Sequence, residues 1–566
     1  MFRLSRFNRR RPSSDFEIAP DEVLLDSSNL PNLDNQQFEG RLERPISRRA
    51  VFFGASVFLL IGGALVCQSW ILQIKKGEAY SLLSERNSLR NEVVFAPRGV
   101  IYDRNGVLVA SNTVNASHPD FPSREYKDID GIGHLIGYVD YPKKDTSGFY
   151  YSTNFTGKDG VEALYDGYLK GINGTRIAET NALGAVESES VLEPPRYGGT
   201  LRLSVDSRIQ SEMYKAMERL AAERGFSGGA GAIIDIKTGE LVAVTSFPEY
   251  RSAVMSEGDN DEQIQKYFSD ERMPFLDRAI SGLYTPGSIV KPFLAVGALE
   301  EHVISPDKKI LSTGSISVPN PYDPKKKSVF TDWRPQGWVD MRDAIAVSSD
   351  VYFYEVGGGF EDQIGLGIGK IEKYMKLFGF GPAEENNFLL AKSGVLPNPT
   401  WKEATFDGDP WRIGDTYNTA IGQYGVQVTL MQVVRATAAV ANEGFLLEPT
   451  VVMGGNQGMQ FVKNLGLLVD NIKVAKEGMR QAVLSGTASG LNIASVEIAA
   501  KTGTAELGTK KKYVNSWVEG FFPYENPRYA FAAVMEKGPH DNTVGALYVM
   551  RQLFDWMAVN TPEYLK

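Results

Sequence analysis

Tyr284-Thr285-Pro286-Gly287-Ser288-Ile289-Val290-Lys291 sets a serine three residues before a lysine, directly after a Pro-Gly loop. On a helix that spacing puts both side chains on one face. The lysine amine can then take the serine proton once burial or a neighbouring cation has lowered its pKa. A serine near a helix N-terminus also gains backbone N–H groups able to hold a developing oxyanion. Average composition gives about two Ser-x-x-Lys matches by chance in a chain of this length, so the pair alone is a weak signal. Pro292 follows at once, which fits only where the helix has barely begun at Ser288.

Two later segments bring compatible groups. Ala346-Val347-Ser348-Ser349-Asp350-Val351-Tyr352 offers Ser348 and Asp350, for which the plain alternative is an N-cap on a following helix. Ala499-Ala500-Lys501-Thr502-Gly503-Thr504-Ala505 places a cation, two hydroxyls and a glycine at strand spacing. A substrate carboxylate can dock edge-on there with backbone pairing. The alternative is a solvent-exposed lysine at a strand end. Only about a fifth of a Lys-Thr-Gly match is expected by chance, so this is the most specific of the three.

The elements that must position these groups follow from periodicity and turn signals. Leu201 to Val205 reads as a strand and Ser207 to Ala222 as an amphipathic helix. Ala232 to Ile236 and Leu241 to Thr245 read as a buried hairpin, and Trp517 to Phe522 and Tyr529 to Met535 as late strands. Helical patterns cover Ile371 to Phe378 and Leu430 to Ala441. Strands early and late with helices between predict an α+β fold rather than a doubly wound sheet. Before Leu201, Pro97 to Ala110 predicts a hairpin with an Asn-Gly turn, and Gly160 opens a helix ending near Gly171.

Ala50 to Ile74 carries no charge and is long enough to cross about 30 Å of hydrocarbon, so it predicts one transmembrane helix. Arg41, Arg44, Arg48 and Arg49 before it outweigh Lys75 and Lys76 after it, which favours a cytoplasmic N-terminus and an outward-facing remainder. A 49-residue tail is too long for a signal-peptide n-region, so an uncleaved anchor is expected. The tail, 1–49, has little hydrophobic periodicity and is expected to be disordered, while Glu78 to Leu89 can extend the helix outward.

With 566 residues, 43% of them hydrophobic and 23% charged, the remainder is globular and large enough for several folded units. A net charge of −9 argues against nucleic acid as a partner. The single cysteine, Cys67, and the scattered His118, His134, His302 and His540 give no metal-ligand spacing, so no metal and no cofactor is expected.

Ser-x-x-Lys, then Ser-x-Asp, then Lys-Thr-Gly is the motif order of penicillin-binding proteins and serine β-lactamases. With Arg98 to Gly106, Arg278 to Tyr284, Trp338-Val339-Asp340, Gly414 to Asn418 and Ala420 to Gln423, the sequence resembles the class B penicillin-binding proteins, most of all the elongation-type penicillin-binding protein 2 branch. The resemblance implies an antiparallel sheet flanked by helices as the transpeptidase domain, 201–566, on an elongated pedestal, 75–200, beyond the membrane helix, 50–74. It implies cross-linking of peptidoglycan stem peptides with release of D-Ala, and trapping by β-lactams. By the same resemblance Ser288 is the nucleophile, Lys291 its base and Ser348 the proton relay, while Asp350 holds Lys291 and the donor. Lys501, Thr502, Gly503 and Thr504 bind the donor carboxylate, and the N–H groups of Ser288 and Thr504 form the oxyanion hole. The implied partner is a RodA-type lipid II glycosyltransferase with other elongation-complex proteins.

Three departures stand out. Asp350 replaces the usual Asn, as in elongation-type members. The His and Cys metal site of some relatives has no counterpart here. Only about twenty residues separate Asn112 from Gly131, where relatives carry a longer head subdomain. A division-type enzyme shares the same motifs, and a membrane-anchored β-lactam sensor shares the acylation alone; such sensors usually have several helices before the sensor domain.

Overall fold

The computed structural model describes residues 47–81, 89–114, 119–146, 148–180, 186–320, 323, 325–384, 387–454, 462–508 and 510–566. The chain divides into two compact units, Met1–Arg90 and Asn91–Lys566.

In the first unit an α-helix, Arg48–Trp70, runs on into a π-helical stretch, Ile71–Lys75. Ser47 caps it, its hydroxyl accepting from the Ala50 N–H at 3.2 Å. Within these 28 residues the most apolar 18-residue window has a mean hydropathy of 2.4, and none of that window is buried. An unbroken apolar surface on every side of a helix is the mark of a lipid-facing element. It is the one helix among the described residues long and apolar enough to cross a membrane. Of the helical extension expected over Glu78 to Leu89, residues 82–88 lie outside the described residues, and Leu89 already opens a strand, Leu89–Val94.

The second unit is organised around a five-stranded sheet. Its strands, numbered in chain order, are β1 (Gly228–Asp235), β2 (Leu241–Phe247), β3 (Ala499–Leu507), β4 (Tyr513–Phe522) and β5 (Tyr529–Pro539). They lie in the order β2-β1-β5-β4-β3, every pair antiparallel, so that β3 forms an edge. The expected hairpin is β1–β2, the late strands are β4 and β5, and the Lys-Thr-Gly segment is the edge strand.

Both faces of the sheet are covered, as its nearly continuous apolar strands require. Alternation along β4 assigns its side chains to opposite sides. Val518 and Phe522 belong to one hydrophobic cluster with Met213 and Met217 of the helix Ser207–Arg224, and the Phe522 ring meets Phe554 of the helix Ala546–Asn560 edge-on at 4.9 Å. Trp517 and Phe521 belong to a second cluster with Val433 of the helix Leu430–Ala441 and Phe293 of the helix Lys291–Glu300. Every residue of Leu430–Ala441 is buried. Its first turn is closed by Thr429 and Gln432, each side chain accepting from the other's backbone N–H at 3.2 and 3.3 Å. Its mostly apolar pattern, broken only by Gln432, Arg435 and Thr437, suits a helix enclosed on all sides.

A four-stranded sheet precedes this layer, in the order Leu201–Arg202, Ile101–Tyr102, Leu108–Thr113, Ser123–Tyr126. The hairpin expected around Asn105-Gly106 is present, with the Asp103 carboxylate accepting from the Asn105 and Val107 N–H groups at 2.8 Å each. Two elements are shorter than their patterns suggest. Leu201–Arg202 is a two-residue strand, because Leu203 onward turns away to bridge Val452 and enter the helix at Ser207. The expected helix after Gly160 is two pieces, Gly160–Leu164 and Asp166–Leu169, broken at Tyr165.

Candidate active site

Ser288 sits in a single 3-10 turn, Gly287–Val290, and Lys291 is the first residue of the α-helix that follows. The turn-to-helix junction explains how Pro292 is tolerated: at the first turn its missing N–H would have had no intrahelical partner. Gly287 is at φ +59°, and a Cβ there would lie 2.8 Å from the carbonyl oxygen of Thr504 on β3. A Cβ at Gly503 would in turn lie 2.8 Å from the Pro286 oxygen and 2.9 Å from the Ile289 side chain. The two glycines therefore allow the serine turn to press against the edge strand, which brings Ser288 beside the backbone of Gly503 and Thr504.

Lys291 is fully buried. Its ammonium donates to Asp350 Oδ1 at 2.7 Å, the Ser348 carbonyl at 2.8 Å and Ser348 Oγ at 3.3 Å, and lies 5.5 Å from the centre of the Phe353 ring. Lys501, also fully buried, reaches the same hydroxyl from β3: its Nζ donates to Ser348 Oγ at 2.8 Å and to the Thr502 carbonyl at 2.7 Å. Burial holds the Lys501 amine well below its usual pKa, and the positive charge of Lys291 adds to the effect. Ser348 thus lies between two lysines brought from separate parts of the chain.

Ser348 has a left-handed backbone, φ +59°, between two helices, Met341–Ala346 and Asp350–Gly358. The cap of the second helix is Ser349, not Ser348: Ser349 Oγ accepts from the Tyr352 N–H at 3.3 Å and donates to Asp332 Oδ2 at 2.8 Å. With the capping duty on its neighbour, Ser348 turns its hydroxyl to the lysines. Asp332 also accepts from Ser312 Oγ at 3.1 Å and the Val351 N–H at 3.1 Å, so one buried carboxylate fixes the start of the helix that carries Asp350. Ser349→Ala is expected to cost about 1 kcal/mol of stability through loss of the cap. An unaltered thermal unfolding curve would contradict this role for Ser349.

Thr502 and Thr504 lie on the face of β3 opposite Lys501 and Gly503. Thr502 Oγ1 donates to Thr487 Oγ1 at 2.7 Å, and Thr504 is exposed. Thr487, in the loop after the helix Val469–Ser485, was not singled out in the sequence, although Gly486-Thr487-Ala488 carries a turn-like signal there. Asp332 was also missed, because one aspartate in a polar loop has no distinguishing pattern. Among the described residues no three His, Cys, Asp or Glu side chains gather as a metal-ligand set.

A serine turn, a buried lysine one helical turn on, a hydroxyl shared by two lysines and an edge strand with a free side are the groups a serine acyl-transfer site requires. The penicillin binding protein transpeptidase domain matches residues 229–554, and the penicillin-binding protein dimerisation domain matches residues 117–203. The chain belongs to the penicillin-binding protein transpeptidase family. It is 28% identical to the peptidoglycan D,D-transpeptidase MrdA of Acinetobacter baumannii, over 93% of this chain and 89% of that protein. The structure is similar to penicillin-binding protein 2 from Helicobacter pylori in complex with MreC, at TM-score 0.68 and 25% identity, over 83% of this chain and 99% of that one. It is also similar to a chain of a peptidoglycan synthase complex, at TM-score 0.69 and 26% identity, over 90% of this chain and 97% of that one. The fold is the expected one: a penicillin-binding-type transpeptidase, helix and sheet mixed, with a membrane-length helix near its N-terminus.

Proposed function

We propose that this chain is a serine-type peptidoglycan D,D-transpeptidase of the elongation type, anchored in the cytoplasmic membrane by the helix Arg48–Lys75 with residues from Asn91 onward outside. The single observation that carries the reading is the Ser348 hydroxyl, held at 2.8 Å from Lys501 and 3.3 Å from Lys291 beside the Ser288 turn. In this reading the Ser288 hydroxyl attacks the carbonyl of the penultimate D-Ala of a stem peptide. Lys291, in its neutral form, takes the Ser288 proton. The C–N bond to the terminal D-Ala breaks, and Ser348 passes a proton to the departing amine. The N–H groups of Ser288 and Thr504 stabilise the oxyanion, and Lys501, with Thr502 and Thr504 across Gly503, holds the terminal carboxylate. An amine of a second stem peptide then attacks the Ser288 ester, forming the cross-link and freeing the serine. Asp350 keeps Lys291 aimed at the centre.

The elongation assignment draws on the MrdA and penicillin-binding protein 2 relatives, and it extends to partners. A lipid II polymerase of the RodA type and an MreC-like protein are the proposed associates, with contacts through the membrane helix and the region before Leu201. β-Lactams are the proposed inhibitors. The test is incubation of the purified chain with fluorescent penicillin. We expect one covalent label per chain that survives denaturation and is displaced by prior treatment with unlabelled β-lactam. A well-folded protein that takes up no label, and releases no D-Ala from a stem-peptide donor, would remove the proposal.

A further inference from the structure

Lys501 and Glu519 face each other across β3 and β4 as directly opposed residues of the register, so their side chains leave the same face of the sheet. Both are fully buried. The row continues from Glu519 to Ala532 on β5 and Ala232 on β1, so beyond the pair it carries only methyl groups. Glu519 Oε2 accepts from Thr437 Oγ1 at 2.8 Å, and Oε1 has no hydrogen-bond partner. One hydroxyl does not offset the burial of a carboxylate, which needs a counter-charge nearby.

Charge balance identifies that counter-charge. The buried centre holds two lysines, and Asp350 is engaged with Lys291 at 2.7 Å. Lys501 contacts only neutral oxygens, Ser348 Oγ and the Thr502 carbonyl. Glu519 is the second acid of the centre, and as a carboxylate it brings the four charges of the resting site to zero, before Lys291 gives up its proton to act as base. The other charged groups of the surrounding elements are occupied elsewhere. Arg435, the one ionisable residue of the helix Leu430–Ala441, donates to the Leu447 carbonyl and Glu384. Glu300, at the far end of the Lys291 helix, accepts from Leu468 and Asn471. On the helix Val469–Ser485, Lys476 donates to the Ala441 carbonyl, and Arg480 to the Ile498 carbonyl and Glu497. On β5, Glu536 pairs with Arg278.

We propose that Glu519 is a positioning residue for the transpeptidation: from the strand behind, it is the buried anion that keeps the Lys501 ammonium charged and ready for the donor carboxylate. Burial drives the Lys501 amine down and the Glu519 carboxyl up; against that pull, Asp350 and then Glu519 draw the amine back toward its charged form, and Lys501 draws the carboxyl back. Glu519→Gln keeps the shape and removes the anion, so Lys501 loses its proton at lower pH and the site loses its hold on a carboxylate there.

This deepens the transpeptidase reading and rests on it. The experiment follows the pH dependence of acylation by fluorescent penicillin, which itself carries a carboxylate, in the full chain, in Glu519→Gln and in Thr437→Val. The alkaline midpoint of the second-order acylation rate should move down by about one pH unit in Glu519→Gln. The loss should fall on apparent affinity rather than on the limiting rate. Thr437→Val, near-isosteric and lacking the hydroxyl that supports the Glu519 anion, should shift it the same way by less, and it decides the matter if Glu519→Gln does not fold. Wild-type labelling with an unmoved midpoint in the folded variants would overturn the role of Glu519 and leave the transpeptidase reading standing. Wild type that is not labelled at all would overturn both.

Discussion

Ser288→Ala is expected to abolish covalent labelling by penicillin outright, and Lys291→Arg to lower the acylation rate at least about a thousandfold. The first follows from chemistry, since alanine offers no atom for the ester bond. The second separates the two duties of Lys291. Its ammonium neutralises Asp350 at 2.7 Å in a fully buried position, so Lys291→Ala would both remove the base and strand a carboxylate. Arginine keeps the positive charge opposite Asp350 but does not release a proton at accessible pH. A folded Lys291→Arg chain that fails to acylate therefore isolates proton transfer from ion pairing. The measurement is the initial labelling rate beside the thermal unfolding curve of each variant. Labelling of Ser288→Ala at the wild-type rate would displace Ser288 as the nucleophile. Wild-type labelling by Lys291→Arg would leave Lys291 a purely electrostatic role.

The parts of the site that could be read in the sequence are those fixed by local periodicity. Lys501, Thr502, Gly503 and Thr504 lie on a strand because alternating small and apolar residues surround them, and the Ser288-to-Lys291 spacing lies on one turn because Pro292 permits little else. The helix Leu430–Ala441 matches its expected limits because its apolar run ends in Asn442, Glu443 and Gly444. The rest depends on contacts distant in sequence. Ser348 and Ser349 are adjacent hydroxyls, and only the fold shows that one caps the helix while the other faces the lysines. Asp332 gains its importance from Ser312 and Val351, which local pattern does not join to it. Glu519 was visible as a lone acid in the apolar run Trp517 to Phe522, but its partner became apparent only with the register of β3 against β4. The same limit shortened the strand at Leu201, where tertiary bridging to Val452 overrides a favourable alternation.

Glu162→Gln is expected to destabilise the region before Leu201 by about 3–5 kcal/mol, the cost of removing one partner from a buried ionic network. Glu162 is fully buried, and its two carboxylate oxygens are divided between two arginines, Arg98 Nε at 2.5 Å and Arg124 Nε at 2.7 Å. Arg98 also donates to the Glu162 carbonyl at 2.8 Å and pairs with Asp166 at 2.8 Å, while Arg124 donates to the Gly99 carbonyl at 2.8 Å. The network ties the hairpin that starts at Gly99 to the strand Ser123–Tyr126 and to the short helices Gly160–Leu164 and Asp166–Leu169. None of these pieces is long enough to be stable alone. Glutamine can accept from only one of the two arginines and leaves two buried cations with Asp166 as their single remaining carboxylate. An exposed counterpart gives the control: Arg176 pairs with Glu92 and Glu189 at 39% exposure, and Arg176→Ala should change stability by no more than about 1 kcal/mol. Proteolytic susceptibility in increasing urea, read at cleavage sites before Leu201, measures both. Equal midpoints for Glu162→Gln and Arg176→Ala would show that the short helices and the hairpin are held by apolar packing alone, and that the arginine pair is dispensable to the fold.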